Sequence, residues 1–254
     1  MTSNTPHHPL GQTRTQVHQN HAFIAPDTHI QAPLAGWTNT LGTILISPHM
    51  MRRPQFSQYL AQMSPQASAG RPLSNVQRLV YVLDGTVQIT LDQTVSLTLG
   101  DYAYIPADTE HMIQTTDGCQ LLVFEKPYTP SPLTDERPTP IIGNAWERPS
   151  ESFMGDERAQ LRLLLPDTLA YDMAINIFHF ESGSALPLVE CHVMEHGLYF
   201  LQGQGVYRLD ENWYPIQAGD VIWMGAYCPQ WFCAFGRTPS AYIYYKDINR
   251  DPLG

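Results

Sequence analysis

One glutamate and two histidines, Glu190, His192 and His196, stand close together in the segment ECHVMEHG at positions i, i+2 and i+6. A carboxylate and two imidazoles are donors that bind first-row divalent metal ions. Positions i, i+2 and i+6 share parity, so on a β-strand the three side chains would point to one side of the sheet. Taken alone, the string indicates a hydrogen-bonded structural cluster as readily as a metal site.

An internal repeat surrounds this segment. Residues 81–111 align with residues 199–230, and the turn glycines Gly85 and Gly203 are 118 positions apart. In both copies a strand, a glycine turn and a second strand precede a Gly-Asp pair, an order that predicts two similar antiparallel β-units. Alternating apolar runs continue to the end of the chain, which favours an all-β protein.

The second copy adds a fourth polar position to the first three. Gln230 follows Gly219 by eleven residues, and His111 stands at the matching place in the first copy. The first-copy positions that match Glu190, His192 and His196 are Pro72, Ser74 and Arg78. Because Gly203, the Gly219-Asp220 pair and Gln230 accompany Glu190, His192 and His196, we predict a metal site in the second copy, whereas Pro72, Ser74 and Arg78 do not form a site for a divalent cation. We predict a structural role for the first copy, with His111 as a core or hydrogen-bonding residue.

The last strand, AYIYYKD, places Tyr242, Tyr244 and Lys246 on one face. If this face lines the barrel interior, Lys246 requires an anion, which a substrate carboxylate would supply. The alternative, that Lys246 lies at the strand end and reaches water, stays open on physical grounds. The alignment of 121–126 with 241–246 pairs Lys246 with Lys126, the other of the two lysines in the chain.

Composition narrows the possible partners. The net charge is −10 with 14 Lys and Arg residues and no basic run, so we expect a small-molecule substrate and no nucleic acid. No apolar run is long enough to span a membrane, and the four cysteines contain no CxxC pair. We therefore expect no membrane association and a cytoplasmic location.

Proline-rich stretches suggest how the chain is divided. We predict an N-terminal tail and arm over 1–40, a first β-unit without metal ligands over 41–126, a linker over 127–161 and a metal-binding unit over 162–254.

The order of these elements resembles the two motifs of the cupin family, in which three metal ligands come first and a fourth follows. The resemblance implies a bicupin, two tandem antiparallel double-stranded β-helix (jelly-roll) barrels. The common cupin ligands are His, His, Glu and His. Here Glu190 replaces the first histidine, His196 replaces the glutamate and Gln230 replaces the last histidine.

The match is closer to one branch of the cupins. The runs 190–230 and 241–251, with HAFIAPD at 21–27 and MGAY at 224–227, are similar to the (S)-ureidoglycine aminohydrolases of allantoin degradation, a branch of purine catabolism. The resemblance implies a hydrolase of C–N bonds that uses Mn²⁺. It further implies that the metal ligands are Glu190, His192, His196 and Gln230, that the catalytic residues are Glu190, Tyr242 and Lys246, and that the substrate contacts are Glu190, Gln230, Tyr242, Lys246 and Tyr207.

The implied reaction replaces the amine of (S)-2-ureidoglycine by water and releases ammonia and (S)-ureidoglycolate. A homo-oligomer is expected because bicupins commonly assemble further, although no feature fixes the number of subunits. Two alternatives stay open, since the cupin fold hosts unrelated functions. One is another metal-dependent bicupin, a dioxygenase or an isomerase, and the other is a non-catalytic binding bicupin.

Overall fold

A computed structural model describes residues 13–50 and 54–251. These residues form strands, turns and one 3-10 turn at Pro26–Thr28, with no helix long and apolar enough to cross a membrane. The predicted all-β architecture is confirmed. Residues 1–12 of the predicted tail lie outside the described residues. The strands, β1 to β21 in chain order, are Gln16–Val17, His21–Ile24, Gln31–Pro33, Trp37–Ile46, Ser57–Ala69, Val76–Gly85, Val87–Thr90, Thr94–Leu97, Asp101–Ile105, Met112–Gln114, Cys119–Pro127, Ile141–Asn144, Ser150–Phe153, Asp156–Leu163, Met173–Phe180, His196–Gln202, Gln204–Leu209, Asn212–Gln217, Val221–Met224, Gln230–Phe235 and Ser240–Asp247.

The N-terminal barrel is one curled antiparallel sheet. Its strand order is β12-β9-β6-β11-β5-β10-β7-β8, with β4 beside β5 and β3 beside β4. Strand β7 shows the pattern that makes such a sheet two-sided, because Val87 and Ile89 are buried while Gln88 between them is exposed. Small and β-branched residues of this kind fill the barrel interior.

The C-terminal barrel is built from two sheets. The larger has the order β1-β2-β19-β16-β21-β15-β14-β13, and the smaller has the order β18-β17-β20. Its interior is lined by aromatic rings, which include Phe178, Phe200, Tyr207, Phe232 and Tyr242. These rings contact one another at centroid distances of 5.0–6.2 Å, within the range of favourable aromatic pairs.

The same structural constraint requires glycine at the two turn positions that revealed the repeat. Gly85 and Gly203 both have φ of +77°, and a Cβ at either position would lie 2.5 Å from the carbonyl oxygen of the residue that precedes a neighbouring strand, Gly118 or Pro239. A positive φ and so close an approach of backbone to backbone both require glycine. The turn that connects the strands of each copy is therefore fixed by the same local constraint.

The sheet of each barrel gains one strand from outside that barrel. The N-terminal arm supplies a strand to the C-terminal barrel, and the segment between the barrels supplies one to the N-terminal barrel. Strand β2 of the N-terminal arm pairs with β19 of the C-terminal barrel, and β12, which follows the N-terminal barrel, pairs back with β9. The arm is also held by Arg14, whose guanidinium donates to both oxygens of the buried Asp220 at 2.6 and 2.9 Å. A large apolar core that contains residues of both barrels lies between them. The range expected to be a linker thus contains β12, β13 and most of β14.

Candidate active site

The segment that carries the glutamate and the two histidines is not a continuous strand. Glu190 forms an isolated bridge with Gln230, with backbone N–O distances of 2.8 and 2.9 Å, and strand β16 begins only at His196. The backbone of His192 is held by Tyr227, whose N–H donates to the His192 carbonyl at 2.7 Å. The three side chains nevertheless line one cavity. Strand parity is therefore the wrong reason for their meeting, which depends on the bridge and the loop.

Both imidazoles converge on the side chain of Gln230. The Gln230 Nε2 atom lies 3.2 Å from Nε2 of His192 and 3.0 Å from Nδ1 of His196. The hydroxyl of Tyr207 donates to Gln230 Oε1 at 2.9 Å. Three of the four predicted ligands, His192, His196 and Gln230, are thus in contact, and Glu190 lines the same cavity.

Burial sets the protonation of these groups. It lowers the pKa of His196 well below the ordinary 6.5, and it also lowers the pKa of His192, with a smaller contribution from the positive charge of Lys246. Burial raises the pKa of the Glu190 carboxyl above 4.5, against an opposing effect of Lys246. At neutral pH both histidines are neutral, which is the form that binds metal ions.

The pairing of the last strand places Lys246 beside this cluster. Lys246 pairs directly with His196 across β21 and β16, and its side chain lines the cavity. In the N-terminal barrel the pairing partner of Arg78, which matches His196, is Glu125 rather than Lys126. The two lysines are therefore not equivalent, and Lys126 points to the opposite face of its strand. The strand pairing thus matches Lys246 to Glu125, one residue away from the match to Lys126 that the sequence alignment gave.

Tyrosines form the polar wall of the cavity. Tyr207 and Tyr242 are 1% and 3% exposed, and burial raises the pKa of both hydroxyls, so they stay protonated donors. Tyr244, which the sequence analysis did not assign to the site, also lines the cavity and contacts the His196 ring edge-to-face at 5.5 Å. Its alternation with Tyr242 and Lys246 was the signal that could have identified it.

The opposite wall is apolar and comes in part from the predicted linker. The cavity, of about 130 Å³, is bounded there by Phe153 and Leu161 of the β13–β14 hairpin together with Phe178. Phe153 packs edge-to-face on Phe178 at 4.8 Å. Nothing in the sequence around Phe153 marks it as a site residue, because its position depends on the pairing of β14 with β15.

Comparison with known proteins agrees with this architecture. A Cupin domain family model matches residues 59–125. The chain is 42% identical to the (S)-ureidoglycine aminohydrolase of Arabidopsis thaliana over 96% of this chain and 80% of the relative. It is 32% identical to the (S)-ureidoglycine aminohydrolase of Escherichia coli over 92% of this chain and 90% of the relative.

The chain belongs to the (S)-ureidoglycine aminohydrolase family. A crystal structure of the putative glyoxylate induced protein of Pseudomonas aeruginosa superposes on this aminohydrolase family member with a TM-score of 0.87, at 28% identity, covering 96% of this chain and 94% of the other. The predicted resemblance, the bicupin fold and the prediction of a hydrolase are confirmed.

Two observations bear on whether the aminohydrolase site fits a metal ion. Among the described residues, His192 Nδ1 and His196 Nε2 are buried without a hydrogen-bond partner. Two neutral imidazoles, an amide and a carboxylate also form a donor set that suits a divalent ion. Across residues 13–50 and 54–251, however, no three His, Cys, Asp or Glu side chains already meet as a metal site. The residue types fit, and binding would require Glu190 or an imidazole to adjust its side-chain torsions.

The matching place in the N-terminal barrel is filled by protein groups alone. Arg78 donates through Nε to Glu125 at 2.7 Å and through NH1 to the Gly70 carbonyl at 2.8 Å. The same NH1 lies 3.0 Å from Nε2 of His111. The other ring nitrogen of His111, Nδ1, is hydrogen-bonded to the backbone carbonyl of Thr109. His111 is thus a hydrogen-bonding residue at 8% exposure, as predicted.

Proposed function

We propose that the protein is a manganese-dependent hydrolase that releases ammonia from (S)-2-ureidoglycine and forms (S)-ureidoglycolate. The observation that carries the proposal is the convergence of two neutral imidazoles and Gln230 beside Lys246 in a small, largely buried cavity. Identity to the named aminohydrolases over most of the chain supports the choice of substrate.

The ion would be held by Glu190, His192, His196 and Gln230. A bound divalent ion supplies Lewis acidity, which polarises a leaving or attacking group, and it helps to orient the substrate. Gln230 would face the ion with its amide oxygen, which requires its amide nitrogen and oxygen to exchange places by rotation of the terminal torsion. Tyr207 accepts or donates through its hydroxyl in either orientation, so it would hold the amide in both.

The remaining residues act on the substrate directly. Lys246 would pair with the substrate carboxylate, because an ammonium group beside two neutral histidines lacks an anion in this cavity unless Glu190 or substrate supplies it. Tyr242 would donate a hydrogen bond to the substrate. Glu190, whose pKa is raised by burial, would accept a proton from the attacking water and return it to the departing amine. The C–N bond to the amine breaks, a C–O bond from water forms, and ammonia leaves.

The test is ammonia release from freshly generated ureidoglycine by purified protein. Activity should disappear after chelation, return with Mn²⁺, and be absent in Glu190→Ala. Chiral analysis of the product should find (S)-ureidoglycolate. A protein that carries no divalent ion and is indifferent to chelator would instead support a binding bicupin, and activity that depends on dioxygen would support a dioxygenase.

We further propose a homo-oligomer located in the cytoplasm. The four cysteines, all within the described residues, are free, which suits a reducing compartment. Light scattering on the purified protein measures the number of subunits, and a mass equal to one chain would contradict the oligomer.

A further inference from the structure

Glu195 belongs to the ligand-bearing segment, yet its side chain does not enter the candidate active site. His192, Met194 and His196 line the active-site cavity, whereas Val193 and Glu195 line a separate polar cleft between the two barrels. Glu195 is 8% exposed. A buried carboxylate in such a place requires a full set of hydrogen bonds.

Those bonds connect the segment to three different parts of the fold. One carboxylate oxygen of Glu195 accepts the backbone N–H of Gln55 at 2.7 Å, and the other accepts the indole N–H of Trp223 at 3.2 Å. The backbone N–H of Glu195 donates to Asp247 at 2.6 Å. Gln55 belongs to the N-terminal barrel, and Asp247 directly follows Lys246. A single residue therefore links the ligand segment to the metal-free barrel, to β19 and to the end of β21.

The N-terminal barrel contains the matching cluster on its own side of the interface. Gln77 precedes Arg78 as Glu195 precedes His196, and Tyr104 takes the place of Trp223. The Tyr104 hydroxyl donates to Gln77 Oε1 at 2.7 Å, and Gln77 Nε2 donates to Asp172 Oδ1 of the C-terminal barrel at 2.6 Å. The strand pairings put Asp172 at the position that matches Gln55. Each barrel thus forms a side-chain hydrogen bond to the other from the same position, which is Glu195 in the C-terminal barrel and Gln77 in the N-terminal barrel.

The cluster around Gln77 and the cluster around Glu195 differ in their neighbouring residues. Asp172 also forms an ion pair with Lys126 and accepts the backbone N–H of Thr129 at 2.9 Å. Gln77 stands beside Arg78, in the barrel whose internal place for a cation is filled by that guanidinium. Glu195 stands beside His196 and at the end of an irregular segment that has few ladder hydrogen bonds. The same contact therefore has a different consequence in each barrel.

We infer that Glu195 is a positioning residue, through which the metal-free N-terminal barrel holds His192 and His196 in the geometry needed to bind an ion. The inference rests on the proposed function for its activity readout. Between the Glu190 bridge and the start of β16, the segment is fixed mainly by the Tyr227 contact to His192 and by the contacts of Glu195. Without the Glu195 carboxylate, the histidine-bearing backbone gains freedom that a metal ion would have to remove.

The experiment compares Glu195→Ala with the matched control Gln77→Ala in the full chain. Each variant removes one side chain that is hydrogen-bonded across the interface of the two barrels. Each should therefore lower the melting temperature by a similar amount, about 2–6 °C. Only Glu195→Ala should weaken binding of Mn²⁺ to the substrate-free protein, by about 10–100-fold in a chelator competition assay, with a parallel fall in kcat/KM. Gln77→Ala should keep the Mn²⁺ affinity of the wild type.

Glu195→Gln serves if the alanine variant fails to fold. Its amide keeps one acceptor oxygen but turns an N–H₂ group towards one of the two N–H donors, so Mn²⁺ affinity should fall by an intermediate factor, about 3–10-fold. Equal Mn²⁺ affinity in the wild type, in both Glu195 variants and in Gln77→Ala overturns the inference alone, provided that the wild type is active. A wild-type protein that neither binds Mn²⁺ nor releases ammonia from ureidoglycine overturns the proposed function and this inference with it.

Discussion

In the C-terminal barrel, His196 at the start of β16 pairs with Lys246 on β21; in the N-terminal barrel, the matching pair is Arg78 on β6 and Glu125 on β11. In the N-terminal barrel the cation is thus the guanidinium of Arg78. It is hydrogen-bonded to Glu125, His111 and a backbone carbonyl. The C-terminal barrel presents neutral bases with unpartnered nitrogens at that place.

The difference shows how one fold separates structure from chemistry. A guanidinium is always protonated and donates only, so it fills a polar cavity without binding a second cation. Neutral imidazoles accept, so they leave room for an ion and for chemistry. The N-terminal barrel contacts the segment that carries His192 and His196 through the Gln55 N–H, which donates to Glu195.

The largest expected effect separates His196 of the C-terminal barrel from His111 of the N-terminal barrel. His196→Ala should lower ammonia release by about 10³-fold or more, roughly 4 kcal/mol of lost transition-state stabilisation, because it removes a proposed metal ligand. His111→Ala should leave activity close to that of the wild type and cost about 1 kcal/mol of stability, since Arg78 loses one partner. Steady-state kinetics and urea unfolding measure both, and comparable loss of activity in the two variants would contradict the division of roles.

A smaller effect is expected from Lys246 and Glu125, the strand-pairing partners of His196 and Arg78. Lys246→Met should raise KM about 10–100-fold while Mn²⁺ affinity is retained, because the substrate carboxylate loses its counter-charge. Glu125→Gln should leave KM unchanged and lower stability by about 1–3 kcal/mol, since the mostly buried partner of the Arg78 guanidinium loses its charge. If Lys246→Met loses Mn²⁺ in proportion to substrate, the lysine is structural.

The hairpins that flank the barrels give a third comparison. Phe153→Ala should enlarge the active-site cavity, so the preference for ureidoglycine over an analogue with one additional methyl group at the α-carbon should fall about tenfold in kcat/KM. Leu34→Ala, in the corresponding β3–β4 connection of the N-terminal barrel, should leave that preference unchanged. Competition between the two substrates measures the ratio, and an unchanged ratio in Phe153→Ala would place the size limit elsewhere.

The last effect concerns stability rather than activity and distinguishes β2 from β12, the strands added to the two barrels from outside their ranges. Burial lowers the pKa of His21 on β2 to about 4, whereas β12 at the matching place carries no titratable side chain. Because the unfolded chain binds this proton below about pH 6.5 and the folded chain does not, His21 makes stability fall as pH drops from about 6.5 to 4, by at most about 1.4 kcal/mol per pH unit.

Urea unfolding at several pH values tests this. His21→Phe should flatten the pH dependence between about pH 4 and 6.5. The control Ile141→Val on β12 should lower stability by about 0.5–1.5 kcal/mol equally at every pH. A wild-type slope that persists in His21→Phe would assign the effect to the other histidines whose pKa is lowered.

The sequence by itself determined the all-β class, and it predicted the repeat and four polar residues that line the cavity. Alternation of apolar residues, the glycine turns and the spacing of Glu190, His192 and His196 are local signals that depend on neighbours within a few positions. Gln230 was found from its distance to Gly219, which the repeat shares with His111 and Gly100. The difference between the copies was also visible in the sequence, because Arg78 stands in the first copy where the second copy has His196.

Only the tertiary structure decided how these residues meet. The bridge of Glu190 with Gln230 replaces the predicted strand, Glu125 replaces Lys126 as the counterpart of Lys246, and Phe153 reaches the site from the range expected to be a linker. Each depends on loop length or on pairing between segments far apart in the chain. Such pairings are selected by the free energy of burying whole faces, which no short window of sequence encodes.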